Sequence, residues 1–231
     1  MSPFLQFILA FVVLSYTVLF LSDPADRMNY TVAYEQTFDS AAVLEQFDFS
    51  SRENWGFARE GRETGALRFS GHSPYLPPPG TPALIGILSH RLFREFVLEL
   101  DAILENEEGP AGDLCLIFNF QDPRHYYYLH LRDNDGHVAW SVVLVRDAAR
   151  EVLASGTSRD RLWAPFQWHH IRIERSAEFG FIRVYLDGQR EPLVLAEDYR
   201  YTNGAVGFGS FNGNTGMLDN LKVWKPDSGL Y

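Results

Sequence analysis

The chain of 231 residues is long enough for one large domain with a short appendage, since all-β sandwiches commonly reach about 200 to 250 residues as a single unit. Hydrophobic residues make up 46% of it and aromatic residues 15%, a composition typical of packed globular proteins and not of disordered ones. The formal net charge of −10, without a local basic stripe, argues against nucleic acid as a partner. The single cysteine, Cys115, excludes an intrachain disulfide and, in its apolar run, is expected to behave as a small hydrophobe.

The amino-terminal residues 4–22 form an uncharged run of nineteen residues, which as a helix matches the hydrocarbon core of a bilayer of about 30 Å. No basic residue precedes the run and no Ala-x-Ala site comes after it, which favours an uncleaved membrane anchor over a signal peptide. The sequence therefore predicts an anchor or signal segment in residues 1–27 and one domain in residues 28–231. A leading span usually delivers the rest of its chain across the membrane, so we expect an anchored extracytoplasmic protein, or a secreted one if the segment is cleaved.

From Tyr30 onward the hydrophobic period is about two, with turn residues every 8 to 15 positions and no sustained helical stripe. This pattern predicts an all-β protein of two antiparallel sheets that bury their apolar faces together. In residues 95–104 one face is apolar and the other carries Glu99 and Asp101. The side chains expected to point inward are Phe96, Leu98, Leu100, Ala102, Leu114, Leu116, Phe118, Phe120, Ile171, Ile173, Ile182, Val184, Leu186 and Ala205.

Two connecting segments carry clear local signals. Asp135 and Gly136 lie between two strand-like runs and predict a hairpin, because glycine adopts positive φ without a Cβ clash. Residues 73–82, "SPYLPPPGTP", have too few backbone donors for a central strand and predict an extended surface loop.

The run "HYYYLHLR", residues 125–132, puts three tyrosines inside a strand-like alternation. If its two leucines point into the core, parity sends Tyr127 inward with them. The side chains left on the opposite face are those of Tyr126, Tyr128, His130 and Arg132. Pairing with the preceding strand would add Asn119 to that face, and the adjacent residues 95–102 would add Glu99 and Asp101.

Such a mixture of rings, carboxylates, an amide, an imidazole and a guanidinium suits a saccharide, whose C–H faces stack on rings and whose hydroxyls need planar donors and acceptors. We therefore predict stacking on Tyr126 and Tyr128. The alternative is that these outward side chains simply cover the sheet or pack under a loop.

A set of segments resembles the concanavalin A-like lectin/glucanase superfamily, including laminin-G-like domains, over about residues 38–224. They are "NWGF", "GALRFSG", "EFVLELDA", "LIFNFQDPRHYYYLHL", "WHHIRIERS", "IRVYLDG", "GAVGFGSF" and "MLDNLKVW". The resemblance implies a jelly-roll sandwich whose concave face commonly meets glycans, proteins or lipids, and on which several glycosidase families are built.

Catalysis and metal binding are weaker expectations. Residues 99–105, "ELDAILE", look like the acidic strand of retaining glucanases, but the three residues between Asp101 and Glu105 depart from that family's spacing. The chain is also similar to the 3-keto-disaccharide hydrolase group, although Tyr126, Tyr128 and His130 stand where that group carries acidic and amide residues. Asp219 in "MLDNLKVW" is a candidate ligand of a structural calcium ion, as in related jelly rolls, or a turn-capping side chain.

The function favoured by the sequence is an exported, membrane-tethered module that binds a glycan or another cell-envelope ligand. The alternatives are a sugar-cleaving hydrolase or lyase and a non-catalytic protein-interaction or structural module.

Overall fold

In a computed structural model, the protein is described over residues 29–59, 65–105, 112–134, 137–162, 166–211 and 213–227. Residues Val32–Lys225 form one compact unit, which contains the residues of the main apolar core. No helix within the described ranges has the length and apolar character needed to cross a bilayer. The expected anchor in residues 4–22 and the expected domain boundary after residue 27 lie outside the described residues.

The described residues form fifteen strands and two short 3-10 helices. The helices are Ala41–Gln46 and Arg52–Asn54. The strands are β1 (Tyr30–Gln36), β2 (Phe47–Phe49), β3 (Trp55–Ala58), β4 (Ala66–Ser70), β5 (Leu84–Leu88), β6 (Phe96–Leu104), β7 (Asp113–Asp122), β8 (His125–Asn134), β9 (His137–Arg146), β10 (Ala149–Leu162), β11 (His169–Arg175), β12 (Phe181–Leu186), β13 (Val194–Glu197), β14 (Ala205–Ser210) and β15 (Thr215–Pro226).

The strands build two sheets. Sheet A has the order β13-β12-β11-β6-β15-β4-β3, with β1 also paired to β15, and sheet B has the order β10-β9-β8-β7-β14-β5-β2. Neighbouring strands within these two orders run antiparallel. The expectation of an all-β, two-sheet antiparallel sandwich is confirmed.

The main core lies between the two sheets, as the period-two pattern predicts. The inward faces of β6, β11 and β12 are as expected, with side chains such as Leu98, Ile173 and Val184 completely buried there. Tyr127 belongs to the same core and stacks on Phe118 of β7 with ring centroids 5.4 Å apart. The predicted parity of the three tyrosines is therefore right.

The expected alternation is wrong beyond Phe118, because β7 contains a bulge. Asn119 adopts a left-handed φ of 46°, and the β7–β8 register shifts between Phe118 and Asp122. A bulge inserts an extra residue and turns the later side chains of its strand. Phe120 consequently packs on the outer face of sheet B and not in the main core. Its β14 partner Ala205 also lies on that outer face, because Val206 and Phe208 are the β14 side chains that point into the main core.

The strands that pair with β6 also differ from the prediction. Strand β7 pairs with β8 as expected, and β8 pairs with β9. The predicted turn residues between them, Asp135 and Gly136, lie outside the described residues. Strand β6, however, pairs with β11 and β15 in sheet A. Glu99 and Asp101 therefore lie on the outer face of sheet A, on the opposite side of the sandwich from the outer side chains of β8.

The proline-rich segment of residues 73–82 is an extended loop, as predicted, and it packs on the outer face of sheet B. Its Tyr75 contacts a second apolar cluster built by the outward side chains of β5, β7, β8, β9 and β14. The backbone carbonyl of Gly80 accepts a hydrogen bond of 2.8 Å from the Tyr128 hydroxyl. The loop thus covers part of this face.

Candidate ligand-binding site

The outer face of sheet B also holds a pocket of about 550 Å³ beside this loop, which we call the sheet B pocket. This volume lies within the range of small-ligand sites, about 300–1,000 Å³. The pocket is formed where β8, β9 and β10 lie side by side, closed by the loop before β5 and the residue after β14. Its lining residues are Gly80, His130, Arg132, Ala139, Trp140, Ser141, Arg150, Val152, Ser155, Gly156, Thr157 and Phe211.

Two of the residues predicted to bind a ligand reach this pocket. His130 and Arg132 are outward residues of β8, and their β9 partners are Ser141 and Ala139. The Phe211 ring stands beside the His130 imidazole with centroids 4.9 Å apart. An aromatic ring next to donors on a pleated surface can hold the apolar face and the hydroxyl rim of one sugar.

The expectation that Tyr126 and Tyr128 expose their rings is wrong. Both side chains are 0% exposed, because the proline-rich loop and their cross-strand neighbours cover them. Burial raises the pKa of the Tyr128 phenol to about 12, and it raises that of Tyr126 further. The tyrosines can act on a ligand only through the groups that they support.

Tyr128 supports one wall of the pocket. Its hydroxyl accepts a hydrogen bond of 2.8 Å from Nε of Arg150 while it donates to the Gly80 carbonyl. This chain of hydrogen bonds holds the Arg150 side chain above the sheet, although β10 is the edge strand of sheet B. Tyr128 is thus a positioning residue for the Arg150 guanidinium.

The pocket contains lining residues that were not among the predicted ones, namely Arg150, Ser141, Ser155, Thr157 and Phe211. The sequence signal for pairing β8 with β9 also predicts Ser141 near His130, its observed cross-strand partner. Simple alternation could not have predicted the side-chain directions along β10, because the register of β10 shifts between Val152 and Ala154. Only this irregularity brings Ser155 to the same face as Arg150.

Among the residues described, one group of potential metal ligands adjoins the pocket. The ligand atoms of Asp113, Cys115 and His130 lie within 4.8 Å of one another. Burial raises the pKa of the Cys115 thiol well above its ordinary value, so the neutral thiol is favoured, whereas a metal needs the thiolate. The Asp113 carboxylate also accepts hydrogen bonds from the Ser210 hydroxyl and the Phe211 amide. A neutral thiol and a carboxylate already bonded to protein donors suit the packed base of the pocket better than a metal centre.

Asn119 does not join the outer face of β8. It is fully buried, and its Oδ1 accepts a hydrogen bond of 3.1 Å from Nε of Arg175, an inward residue of β11. The bulge at Asn119 is the physical reason, because it turns the amide toward the space between the sheets. Asn119 therefore belongs to a buried polar cluster and has no access to the sheet B pocket.

Glu99 and Asp101 instead form a polar cluster with His170 on the outer face of sheet A. Nδ1 of His170 lies 2.8 Å from Oδ1 of Asp101, and its Nε2 lies 3.7 Å from Oε1 of Glu99. The Trp224 indole donates to Glu99 at 2.8 Å, and the Asn220 amide donates to Asp101 at 2.7 Å. Both carboxylates are thus held by donors of neighbouring strands, in an arrangement that stabilises the sheet surface.

The His170 cluster predicts a pH-dependent stability. Hydrogen bonding to Asp101 and then to Glu99 raises the pKa of His170 from 6.5 to about 9. A raised pKa adds stability that is complete below about pH 6.5 and is lost as the pH rises through 9. The side chain is 44% exposed, so solvent screening reduces this contribution to about 1 kcal/mol.

We therefore expect His170→Gln to lower the free energy of unfolding by about 1 kcal/mol at pH 6 and by little at pH 10. Urea unfolding at both pH values measures this difference. His72→Gln, at an exposed position outside the cluster, is the matched control and should lack the pH dependence. An equal loss at the two pH values would show that the imidazolium is not the stabilising form.

The remaining predicted residues occupy structural positions. Glu105, the residue after β6, forms an ion pair of 3.0 Å with Arg68 of β4. Asp219 is 1% exposed, and its Oδ1 accepts a 2.7 Å hydrogen bond from the backbone amide of Asn220 at a break in the β15–β6 register. This contact lies at an irregularity inside β15 and not in a turn, so the turn-capping alternative stays a prediction. A calcium ion at Asp219 stays a prediction.

Comparison with known proteins supports the fold. No protein-family model and no curated protein matches the chain. The carbohydrate binding module CBM66 from Bacillus subtilis is 17% identical, with a TM-score of 0.56 over 78% of this chain and 96% of that one. A Bacillus subtilis protein of unknown function with a galectin-like fold is 12% identical, with a TM-score of 0.58 over 84% and 97%.

A third solved structure is a variant of LamA from Z. galactanivorans in complex with laminaritriose and laminaritetraose. It is 10% identical, with a TM-score of 0.57 over 84% of this chain and 99% of that one. At these identities the likeness shows the fold alone. The chain is thus an all-β sandwich of the kind found in these proteins, consistent with the concanavalin A-like sandwich that its sequence resembles.

Proposed function

We propose that this protein is a carbohydrate-binding module of the concanavalin A-like jelly-roll type that holds a saccharide or another cell-envelope ligand in the sheet B pocket. The observation that carries the proposal is the pocket itself. It combines a ligand-sized volume with the Phe211 ring, the His130 imidazole and the guanidinium groups of Arg132 and Arg150. Such a combination provides both a stacking surface and directional hydrogen bonds.

Two further observations support this proposal. Two of the similar structures are named as a carbohydrate binding module and as a complex with laminaritriose and laminaritetraose. The uncharged run at residues 4–22 supports an exported, membrane-tethered protein, with the domain on the extracytoplasmic side. Both support the proposal of a tethered module that holds glycans near a membrane surface.

A glycan array probed with the full chain in detergent tests the proposal. We expect saccharide binding that weakens at least about tenfold in Arg132→Gln, because hydrogen bonds to a charged group contribute about 1.5–3 kcal/mol. Phe211→Leu removes the ring while it retains apolar volume, and it should weaken the same binding. Arg94→Gln is the matched control, since the Arg94 side chain is 63% exposed and lies outside the pocket. The proposal fails if no saccharide binds, or if binding survives both pocket substitutions unchanged.

A further inference from the structure

The charge of the sheet B pocket is opposite to that of the protein. The chain has 20 basic and 30 acidic residues, yet the described pocket lining contains no aspartate or glutamate. It contains two arginines, Arg132 and Arg150, and both are exposed to solvent. A local cationic site on an acidic protein favours anionic ligands over the repelling surface around it.

The two guanidinium groups also lack a carboxylate partner within the described part of the chain. Neither is ion-paired there, whereas other cations are, for example Arg183 with Glu174 at 3.6 Å and Lys222 with Glu35 at 2.6 Å. Arg150 donates its Nε to Tyr128 and so keeps both Nη groups available. Fixing one edge of the guanidinium reduces the side-chain entropy lost when the other edge binds a ligand.

Asp113 is the β7 partner of Arg132 in the β7–β8 register and lies on the same face of sheet B. Asp113 accepts hydrogen bonds from Ser210 and Phe211, and its Oδ2 lies 3.6 Å from Nε2 of His130. Its side chain is 13% exposed and is not part of the lining. Glu151, next to Arg150 in sequence, forms an ion pair with Arg200 at 2.5 Å. Among the described residues, neither acid forms an ion pair with Arg132 or Arg150.

The hydrogen-bond donors and acceptors of the pocket lining distinguish neutral from anionic sugars as ligands. Neutral sugar hydroxyls both donate and accept, so a site for them needs acceptors as well as donors. No side-chain carboxylate or amide lines the described pocket, and its side-chain acceptors are the hydroxyls of Ser141, Ser155 and Thr157 and one nitrogen of a neutral His130. A guanidinium has five donors and no acceptor. Its best partner is a planar anion that accepts two parallel hydrogen bonds.

We infer that the sheet B pocket selects acidic saccharides, with Arg132 and Arg150 as the residues that bind the anionic group of the sugar. This inference rests on the proposed function and specifies its ligand class. The shared chemistry is an anionic sugar, which carboxylate-bearing or sulfated saccharides can both supply.

The test compares saccharides that differ only in charge. Trimers of galacturonate, glucuronate and mannuronate are titrated into the full chain in detergent by calorimetry, each beside its methyl ester, and a sulfated dextran trimer beside the unsulfated trimer. We expect an acidic form to bind at least about tenfold more tightly than its neutral partner. The preference should weaken as ionic strength rises, since the arginines are exposed.

Substitutions in the pocket test whether the preference for acidic saccharides arises there. Arg132→Gln and Arg150→Gln should each remove most of the preference for the acidic form, and Arg94→Gln should retain it. Thermal unfolding of each variant verifies that the fold is intact. A preference that survives both pocket substitutions, or that Arg94→Gln also removes, would overturn the inference.

The outcomes separate this inference from the proposed function. Equal or tighter binding of the neutral forms, lost on Phe211→Leu, would leave the proposed function standing and overturn acidic selectivity. If neither form of any pair binds, and the glycan array also yields no ligand, both fail. Tighter binding of the sulfated trimer than of any uronate would retain anion selection and identify sulfate as its source.

Discussion

Replacement of Arg175 by methionine is expected to lower the free energy of unfolding by about 3–5 kcal/mol. The guanidinium is 2% exposed and donates to the backbone carbonyls of Ser176, Asp198 and Tyr201 at 2.8–3.0 Å, and to the Asn119 amide oxygen at 3.1 Å. Methionine fills much of the volume but donates nothing. Several buried acceptors would then lie without partners, and each costs about 1–3 kcal/mol before the structure relaxes.

The size of this effect depends on a buried cluster that joins the two sheets. Burial lowers the pKa of the Arg175 guanidinium, and the relief of that desolvation offsets part of the loss in the variant. Tyr127 of β8 adds to the cluster through a hydrogen bond to the Asp198 carboxylate, and its hydroxyl accepts a 3.0 Å bond from the Tyr201 amide. The cluster therefore ties β8 of sheet B to β11 of sheet A and to the segment after β13.

Urea unfolding followed by tryptophan fluorescence measures this prediction. Arg94→Met is the matched control, because the 63% exposed Arg94 makes only a 4.0 Å contact with Glu95, and the change there should stay within about 0.5 kcal/mol. A loss below about 1 kcal/mol in Arg175→Met would mean that water replaces the guanidinium at its carbonyl partners.

Truncation of Tyr128 is expected to have a comparable effect for a different reason. Tyr128→Ala should lower the free energy of unfolding by about 3–5 kcal/mol, because it removes a fully buried ring from the apolar cluster under the proline-rich loop. Tyr128→Phe retains the ring and should cost about 1 kcal/mol, for the hydrogen bonds to Gly80 and Arg150. The same urea experiment measures both variants.

The two Tyr128 variants separate stability from ligand binding. Tyr128→Phe should remain folded yet bind anionic sugars more weakly, since Arg150 loses the oxygen that holds its Nε. Tyr199→Ala is the matched control for truncation, as its side chain is 54% exposed, and it should lose less than about 1 kcal/mol. Full stability of Tyr128→Ala would contradict the packing of the loop on sheet B.

Much of the candidate site could not be found from alternation alone. The pattern assigned Tyr126, Tyr128, His130 and Arg132 to one face correctly, because side-chain direction in a strand is a local property. It could not tell that residues more than forty positions earlier would cover two of them. His130 and Arg132 line the pocket beside Gly80 of the proline-rich loop.

Irregularities in the strands explain most of the other differences. The left-handed Asn119 turned Phe120 and the amide away from their expected faces, and the shift after Val152 rearranged β10. A bulge changes parity for every later residue of its strand, and the letters of the sequence carry little signal for it. Each such position must be read from the paired strands.

Local patterns along the chain were enough to establish the class of the fold, the inward faces of β6, β11 and β12, the pairing of β7 with β8 and the extended proline-rich loop. These features depend on period, turn chemistry and missing backbone donors, which act between near neighbours in sequence. Three features needed the folded molecule: Glu99 and Asp101 lie on the other sheet from His130, two tyrosines are covered, and Arg150 and Phe211 meet at one pocket. Those outcomes depend on which distant segments pack together, and packing is settled by the burial of the whole chain's apolar surface.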